Sequence, residues 1–535
     1  MNIGFFASSS LRIIRRCCFA LILSLLLASV RSAAAQVPTG DSAWVEGDFV
    51  AARTAYQRAL ATDSTSVRAS YRLAIMQSWA GHLDSALALL RHARSVEPDD
   101  PDVRFSEAQF LGWNGRYEAS IARFDTLLLQ HPERRDAVLA RAQVLAWANR
   151  FAEADSSYST LLRVNPGDLQ AQAGLAQVAA WRGDFTDAVR RYLAVLSHDS
   201  TNAEALVGLA QVYHWQGRER AAASYADRAL AADSTRRDAD EVRAAIRSGI
   251  RPTLDAAIGW SRDSDRNQAW WQTIGTSWSL AEGLRPFASA GLLEATDPTR
   301  NGTRAAAEIG ATYAVGNWQF TGAAGVRRLS PRGTTGATLG TARARVAYAV
   351  RAGTWIGLGY ARTAFDETAF LLARRLGANT LDLDIESTLR PGTELSAATG
   401  WAWIGDGNRR RSALLAASQR VNRHVSVGAL GRILGYDFKG VGYFSPDQFS
   451  TAEGRAAYRY ALPKWDAGVS GGAGAQWVGS HGKAQSQWHI EGRVARKWGA
   501  INEVAFSIGT STSAVSSTTG AFRSSTAVLS ARLGL

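Results

Sequence analysis

The chain has 535 residues, enough for two or more domains, with 60 Lys and Arg against 47 Asp and Glu. Both of its cysteines, Cys17 and Cys18, fall within the first 35 residues, so disulfides and thiolate metal sites are excluded from everything after them. Residues 36–250 carry 24 basic and 27 acidic side chains, and residues 251–535 carry 32 and 20.

The first segment reads as a secretory leader. Arg12, Arg15 and Arg16 form a positive start, Cys17 to Val30 is an apolar run, and Ala33-Ala34-Ala35 offers a small-residue cleavage site before Gln36. The apolar run is short for a membrane span. No cysteine follows it, which argues against lipoprotein processing. Export makes nucleic acid an unexpected partner for the basic second half. A basic lumen, or contact with anionic lipid or polysaccharide, fits that charge better.

From residue 36 a 34-residue period governs the chain. Gly47, Gly81, Gly115, Asn149, Gly183 and Gly217 mark it. Two residues after the marker stand Phe49, Leu83, Tyr117, Phe151, Phe185 and Glu219; five after it, Ala52, Ala86, Ser120, Ala154, Ala188 and Ala222. Nine after it come Tyr56, Leu90, Phe124, Tyr158, Tyr192 and Ala226, and seven before it Gly40, Ala74, Ala108, Ala142, Ala176 and Ala210. Small residues let paired helices approach, the large ring fills the gap to the next unit, and glycine or asparagine permits a tight turn. The pattern resembles the tetratricopeptide repeat, with about six units over 36–250 and a polar closing helix near Arg237 to Ser248. Two residues before the marker stand Trp79, Trp113, Trp147, Trp181 and Trp215. One reading is packing at the end of each first helix. The other is an aromatic ladder that stacks on sugar rings or holds a protein partner.

After Arg251-Pro252 the period becomes two. Leu254, Ala256, Ile258 and Trp260 alternate with Asp255, Ala257, Gly259 and Ser261. Ala305, Ala307, Ile309, Ala311, Tyr313 and Val315 form one face, with Arg304, Glu308 and Thr312 opposite. Past Gly316-Asn317 the chain returns with Trp318, Phe320, Ala324 and Val326 against Gln319, Thr321 and Arg327. Ala342, Ala344, Val346 and Tyr348 interleave with Arg343 and Arg345, and Leu381, Leu383 and Ile385 with Asp382, Asp384 and Glu386. The last strand, Thr526 to Leu535, alternates Leu529, Leu533 and Leu535 with Ser530, Arg532 and Gly534. Such faces suit strands with lipid on one side and a polar lumen on the other; a soluble sandwich with one wet face is the competing account. Short turns near Glu282-Gly283, Gly316-Asn317, Ala352-Gly353, Pro391-Gly392, Asn422-Arg423, Pro463-Lys464 and Gly499-Ala500 alternate with longer polar loops, among them Thr363 to Ala378. This predicts an antiparallel transmembrane β-barrel of about 16 strands over 251–535, following an α-solenoid over 36–250 and a leader over 1–35. An even strand count puts both barrel ends, and the repeats, at the short-turn rim in the periplasm.

A repeat array followed by a terminal barrel resembles the YaiO-type outer-membrane barrel family, and is similar in plan to outer-membrane exporters of cellulose and poly-N-acetylglucosamine. Tyr443-Phe444-Ser445-Pro446 is similar to a segment of cellulose exporter barrels, and the resemblance spans the chain after the leader. The array is far shorter than in the large exporters. The resemblance implies polysaccharide export or assembly at the outer membrane, with periplasmic protein partners on the repeats. A non-transporting anchor is the alternative.

No catalytic residue, cofactor or metal is expected. Gly468-Val469-Ser470-Gly471-Gly472 spells a nucleophile elbow without the strand-to-helix context, and His489 with Glu491 reads as a solvated lumen pair. Arg343, Arg345, Asp382, Asp384 and Glu386 are the lumen candidates. They are either salt bridges across the wall or a charged track for a polysaccharide.

Overall fold

The computed structural model describes residues 36–390, 392–499, 501–514 and 523–535. The leader expected over 1–35 lies outside the described residues, as do Pro391 and Ala500 of two expected turns. Among the described residues, thirteen helices of a tetratricopeptide-like solenoid precede a closed sixteen-stranded antiparallel barrel. The chain divides into two compact units, one ending at Ala171 and the other running from Gln172 to Leu535.

The helices are α1 (residues 36–45), α2 (Phe49–Thr62), α3 (Val67–Trp79), α4 (Leu83–Val96), α5 (Pro101–Trp113), α6 (Tyr117–Gln130), α7 (Arg135–Trp147), α8 (Phe151–Val164), α9 (Leu169–Arg182), α10 (Phe185–His198), α11 (Ala203–Trp215), α12 (Glu219–Ala232) and α13 (Arg237–Ile250). Every period marker adopts positive φ, from 61° at Asn149 to 89° at Gly183, the left-handed turn that glycine and asparagine accept most readily. The small residues five after and seven before the markers, from Ala52 to Ala222, are fully buried wherever alanine or serine stands there. Tyr56, Leu90 and Phe124 are also fully buried, filling the gaps between units. Between units the chain turns on a recurring aspartate: Asp63, Asp199 and Asp233 each accept from the amide two residues on, at 2.9–3.0 Å. No helix among the described residues is long and apolar enough to cross a membrane.

The strands are β1 (Thr253–Asp263), β2 (Gln268–Ser277), β3 (Leu284–Thr296), β4 (Asn301–Val315), β5 (Trp318–Pro331), β6 (Ala337–Arg351), β7 (Thr354–Ala364), β8 (Gly377–Arg390), β9 (Thr393–Ile404), β10 (Arg409–Arg420), β11 (Val425–Tyr436), β12 (Phe449–Ala461), β13 (Trp465–Val478), β14 (Gln485–Trp498), β15 (Asn502–Ser511) and β16 (Ser524–Gly534). Each pairs with its sequence neighbours, and β16 returns to β1 over eleven residue pairs, Thr253 with Gly534 through Asp263 with Ser524. The sandwich account fails on that closure. The five fully described short turns fall on one rim, with the end of β8, the end of β14, the start of β1 and the end of β16, where the Leu535 amide donates to the Pro252 carbonyl at 2.9 Å.

One expectation is corrected at the opposite rim. The Thr363 to Ala378 connection is not a solvated polar loop. It contains a helix, α14 (Ala369–Arg374), whose Leu371 and Leu372 are fully buried. Five large apolar residues, Phe365, Phe370, Leu371, Leu372 and Leu376, need a covered surface, and the barrel interior supplies it.

Within the second unit the last repeats meet the short-turn rim. The Asn317 side-chain amide donates to the Gly183 carbonyl at 2.8 Å, and the Ala352 amide donates to the Trp181 carbonyl at 3.2 Å. Arg218 stands 3.9 Å from Glu282, and the Arg285 guanidinium donates to the Gly249 carbonyl.

Candidate functional site

The barrel wall has two chemically distinct faces. Its outside carries exposed apolar residues at every second position, such as Ile309, Val326, Leu358, Leu415, Val469, Ile490 and Leu529. Trp318, Tyr348, Trp401, Trp403, Trp465 and Trp498 join them near strand ends. A patch of this size cannot face water in a stable monomer; it is the surface of an outer-membrane-type barrel, with aromatic rings toward its edges.

The inside is polar and mostly self-paired. Arg343 on β6 donates to Glu308 on β4 at 2.7 Å, passing over β5. Arg345 on β6 clasps Asp384 on β8 with both guanidinium nitrogens, Nη2 to Oδ2 at 2.9 Å. It can do so because β7 has Gly357 in between, where a Cβ would overlap the guanidinium. Arg459 and Lys497 converge on Asp466, Arg493 reaches Glu503, and Arg532 closes onto Asp255 at 2.6 Å across the β1–β16 seam. Of the five lumen candidates, then, Arg343, Arg345 and Asp384 sit in ion pairs. Asp382 and Glu386 form none among the described residues; Asp382 borders a cavity of about 490 Å³ and Glu386 one of about 860 Å³.

Gly472 of β13 has the same use as Gly357, since a Cβ there would overlap the His489 ring. Gly472 and Gly474 lie between β12 and β14 in register with Arg455, His489, Glu453 and Gln487. Arg455 donates to Glu453 at 2.5 Å, the Gln487 amide donates to the same carboxylate at 3.1 Å, and His489 Nδ1 lies 3.5 Å from it. Ser470 faces Glu491 across the β13–β14 pair. No hydrogen bond joins Ser470 to His489 among the described residues.

At the long-loop end the 363–378 segment folds inward against the lumen wall as a plug. Asp366 is fully buried and accepts from Arg327 at 2.8 and 2.9 Å and from Arg304 at 3.2 Å. Leu372 packs with Ala269, Leu293, Ala295 and Leu329 of the wall, and Leu371 with Leu376, Ala378, Ile404 and Tyr443. The sequence reading noted Arg304 and Arg327 but not Asp366, since nothing local marks a loop aspartate as their partner.

Tyr443-Phe444-Ser445-Pro446 belongs to the loop that braces this plug. The Tyr443 ring stacks on Phe365 at 5.3 Å between centroids, and its hydroxyl donates to Asp406 and accepts from the Asn408 amide, each at 2.9 Å. Ser445 Oγ accepts from the Gly440 amide at 2.7 Å and donates to the Tyr443 carbonyl at 3.1 Å, holding the bend. Pro446 offers its carbonyl to the Tyr436 amide, and Phe444 meets Phe449 edge-on. Gly442 has φ +88°, and a Cβ there would overlap Phe370 of α14.

In the repeats, Trp79 and Trp113 are about half exposed, at 53% and 47%, and Trp147, Trp181 and Trp215 are half-buried. Trp79 stacks on Trp44 at 5.2 Å and meets Phe49 edge-on at 5.0 Å; Tyr117 with Trp147 and Phe185 with Trp215 repeat that contact between the residue after one marker and the tryptophan before the next. Trp79, Trp147 and Trp215 thus pack on the preceding unit, Trp113 stacks on Phe110 of its own helix, and all five keep part of the ring uncovered.

Models of the tetratricopeptide repeat match residues 43–108 and 182–246, and a second such model matches 114–154. No curated protein matches the chain. Among solved structures, one described as a bacterial polysaccharide outer membrane secretin is similar at 12% identity, over 53% of this chain and 98% of that one, with a TM-score of 0.44. A tetratricopeptide repeat protein from Parabacteroides merdae is similar at 19% identity, over 41% of this chain and 86% of its own, with a TM-score of 0.36. PilW, a type IV pilus biogenesis factor, is similar at 21% identity, over 39% and 97%, with a TM-score of 0.33.

Proposed function

We propose that this protein assists polysaccharide export or assembly at the outer membrane, with its repeats in the periplasm holding protein partners or the nascent polymer. The observation that carries the reading is the lumen: a wall of sixteen strands, polar inside and apolar outside, with a loop folded into it at one end. Sixteen strands leave room for an aqueous path once a loop is displaced. The meeting of the last repeats with the short-turn rim supports a periplasmic repeat domain, because short turns belong on that side of such barrels. The role needs no catalytic group and no cofactor, and the place of His489 beside the Arg455-paired Glu453 supports a structural use of the one histidine in the network.

Conductance in planar bilayers tests the reading. The full chain is expected to stay near closed, and a variant with residues 363–378 replaced by a short turn to open in discrete steps. A barrel that remains closed without the plug overturns passage. The apolar docking of Leu371 and Leu372 favours a second reading, a permanently plugged anchor whose repeats recruit periplasmic proteins. That reading expects silence from both proteins.

A further inference from the structure

Two lumen arginines break the pairing pattern. The other arginines of the charge network described above each reach a carboxylate. Arg410 on β10 and Arg432 on β11 form no ion pair among the described residues, although both face inward. Arg410 lies against the Tyr436 hydroxyl, yet its Nε is buried without a hydrogen-bond partner. Arg304 Nε is buried in the same way although Arg304 reaches Asp366, so what sets Arg410 and Arg432 apart is the missing carboxylate partner.

Both arginines line the cavity of about 490 Å³ directly beneath the plug. Asp382 and Glu367 line it too, and among the described residues neither forms an ion pair with either guanidinium. The rings of Tyr436 and Phe444 complete it. Its volume is that of a small-ligand site.

We infer that this cavity is a recognition site for a carboxylate-bearing sugar unit, with Arg410 and Arg432 taking the carboxylate, Asp382 and Glu367 accepting from ring hydroxyls, and Tyr436 and Phe444 covering the apolar C–H face. Guanidinium forks match a carboxylate in two parallel hydrogen bonds, which a neutral sugar cannot offer. Carboxylates in the same cavity make sense only for a ligand that also donates, and a sugar's hydroxyls do. The inference rests on the polysaccharide reading above and narrows it to acidic polymers.

Calorimetric titration of the detergent-purified full chain with a glucuronate trisaccharide, and separately with a neutral glucose trisaccharide, tests it. The acidic trisaccharide is expected to bind at least about tenfold more tightly than the neutral one. In the double variant R410Q/R432Q that preference is expected to vanish, while R410K keeps part of it, because lysine retains charge but not the fork. Heat-dependent gel mobility checks that each variant still forms a barrel. Equal binding of both trisaccharides, or a preference that survives R410Q/R432Q, overturns the inference and leaves the polysaccharide reading standing. Binding of neither overturns both.

Discussion

A Cβ on Gly357 would overlap the Arg345 guanidinium, and one on Gly400 would overlap the Asp382 carboxylate. The inner wall is thus laid out as large charged residues lying across glycines on the neighbouring strand. Face matters as much as size. Ile309, 67% exposed, points outward beside inward Glu308. Ile309→Arg is expected to cost about 2–4 kcal/mol of barrel stability if it sits near the bilayer midplane. The denaturant midpoint of heat-modifiable mobility reads this, and an unchanged midpoint would contradict a lipid-facing Ile309. In the repeats, Asp168 is held by Arg135 at 2.7 and 2.8 Å and accepts from the Ala171 amide at 3.1 Å. The hydrogen bonds from Arg135 pull its pKa below the ordinary value of 3.8 despite burial. A depressed carboxylate stabilises the fold above its unfolded pKa and loses that contribution as pH falls through the folded one. Asp168→Asn is therefore expected to lower amide protection in α7 and α9 at pH 7, by about 1–3 kcal/mol. The difference from wild type should shrink below about pH 4. A deficit that persists at pH 3 would assign the loss to packing instead.

At the scale of elements, the plug is the part with two stable attachments, one electrostatic and one apolar. Asp366 is a buried carboxylate shared by two guanidiniums, and Asp366→Asn leaves both partly unpaired, a change expected to loosen the loop by several kcal/mol. Leu372→Ala removes packing against four wall residues, at about 2–5 kcal/mol. Either substitution is expected to raise the frequency of channel openings, and the two together to raise it further. Openings unchanged by both would mean that the loop does not block the path. Much of the element plan was legible in the sequence. The six markers gave the repeats, because only a left-handed turn explains glycine and asparagine exchanging there. Charges confined to alternate residues gave the two faces of β4, β6 and β8. The plug was not legible, because Asp366 meets Arg304 and Arg327 from 62 and 39 residues away, and no local periodicity encodes such a contact. Phe370, Leu371 and Leu372 in succession were the available signal that this loop is not solvated. The tryptophans were legible as a repeated position, but how far each ring is covered differs, Trp79 by Trp44 and Phe49 and Trp113 by Phe110 of its own helix.

The whole molecule has an orientation that a single thiol can report, because residues 36–535 contain no cysteine. Arg300 lies on the long-loop side, between β3 and β4, and Arg423 in the short turn between β10 and β11. In intact cells, Arg300→Cys is expected to react with a membrane-impermeant maleimide and Arg423→Cys to react only after lysis. The reverse pattern would place the repeats outside the cell and remove the proposed role for them.

The rim contacts of Gly183 and Trp181 have a mechanical corollary. Asn317, which holds Gly183, sits in the turn joining β4 to β5, and those two strands carry Arg304 and Arg327 at their far ends. Two stiff ribbons thus run from the last repeats to the carboxylate that pins the stopper. A pull on the helices would travel the height of the cylinder along this lever, and Asn317→Ala should weaken that link while the Ala352–Trp181 and Arg285–Gly249 contacts stay in place.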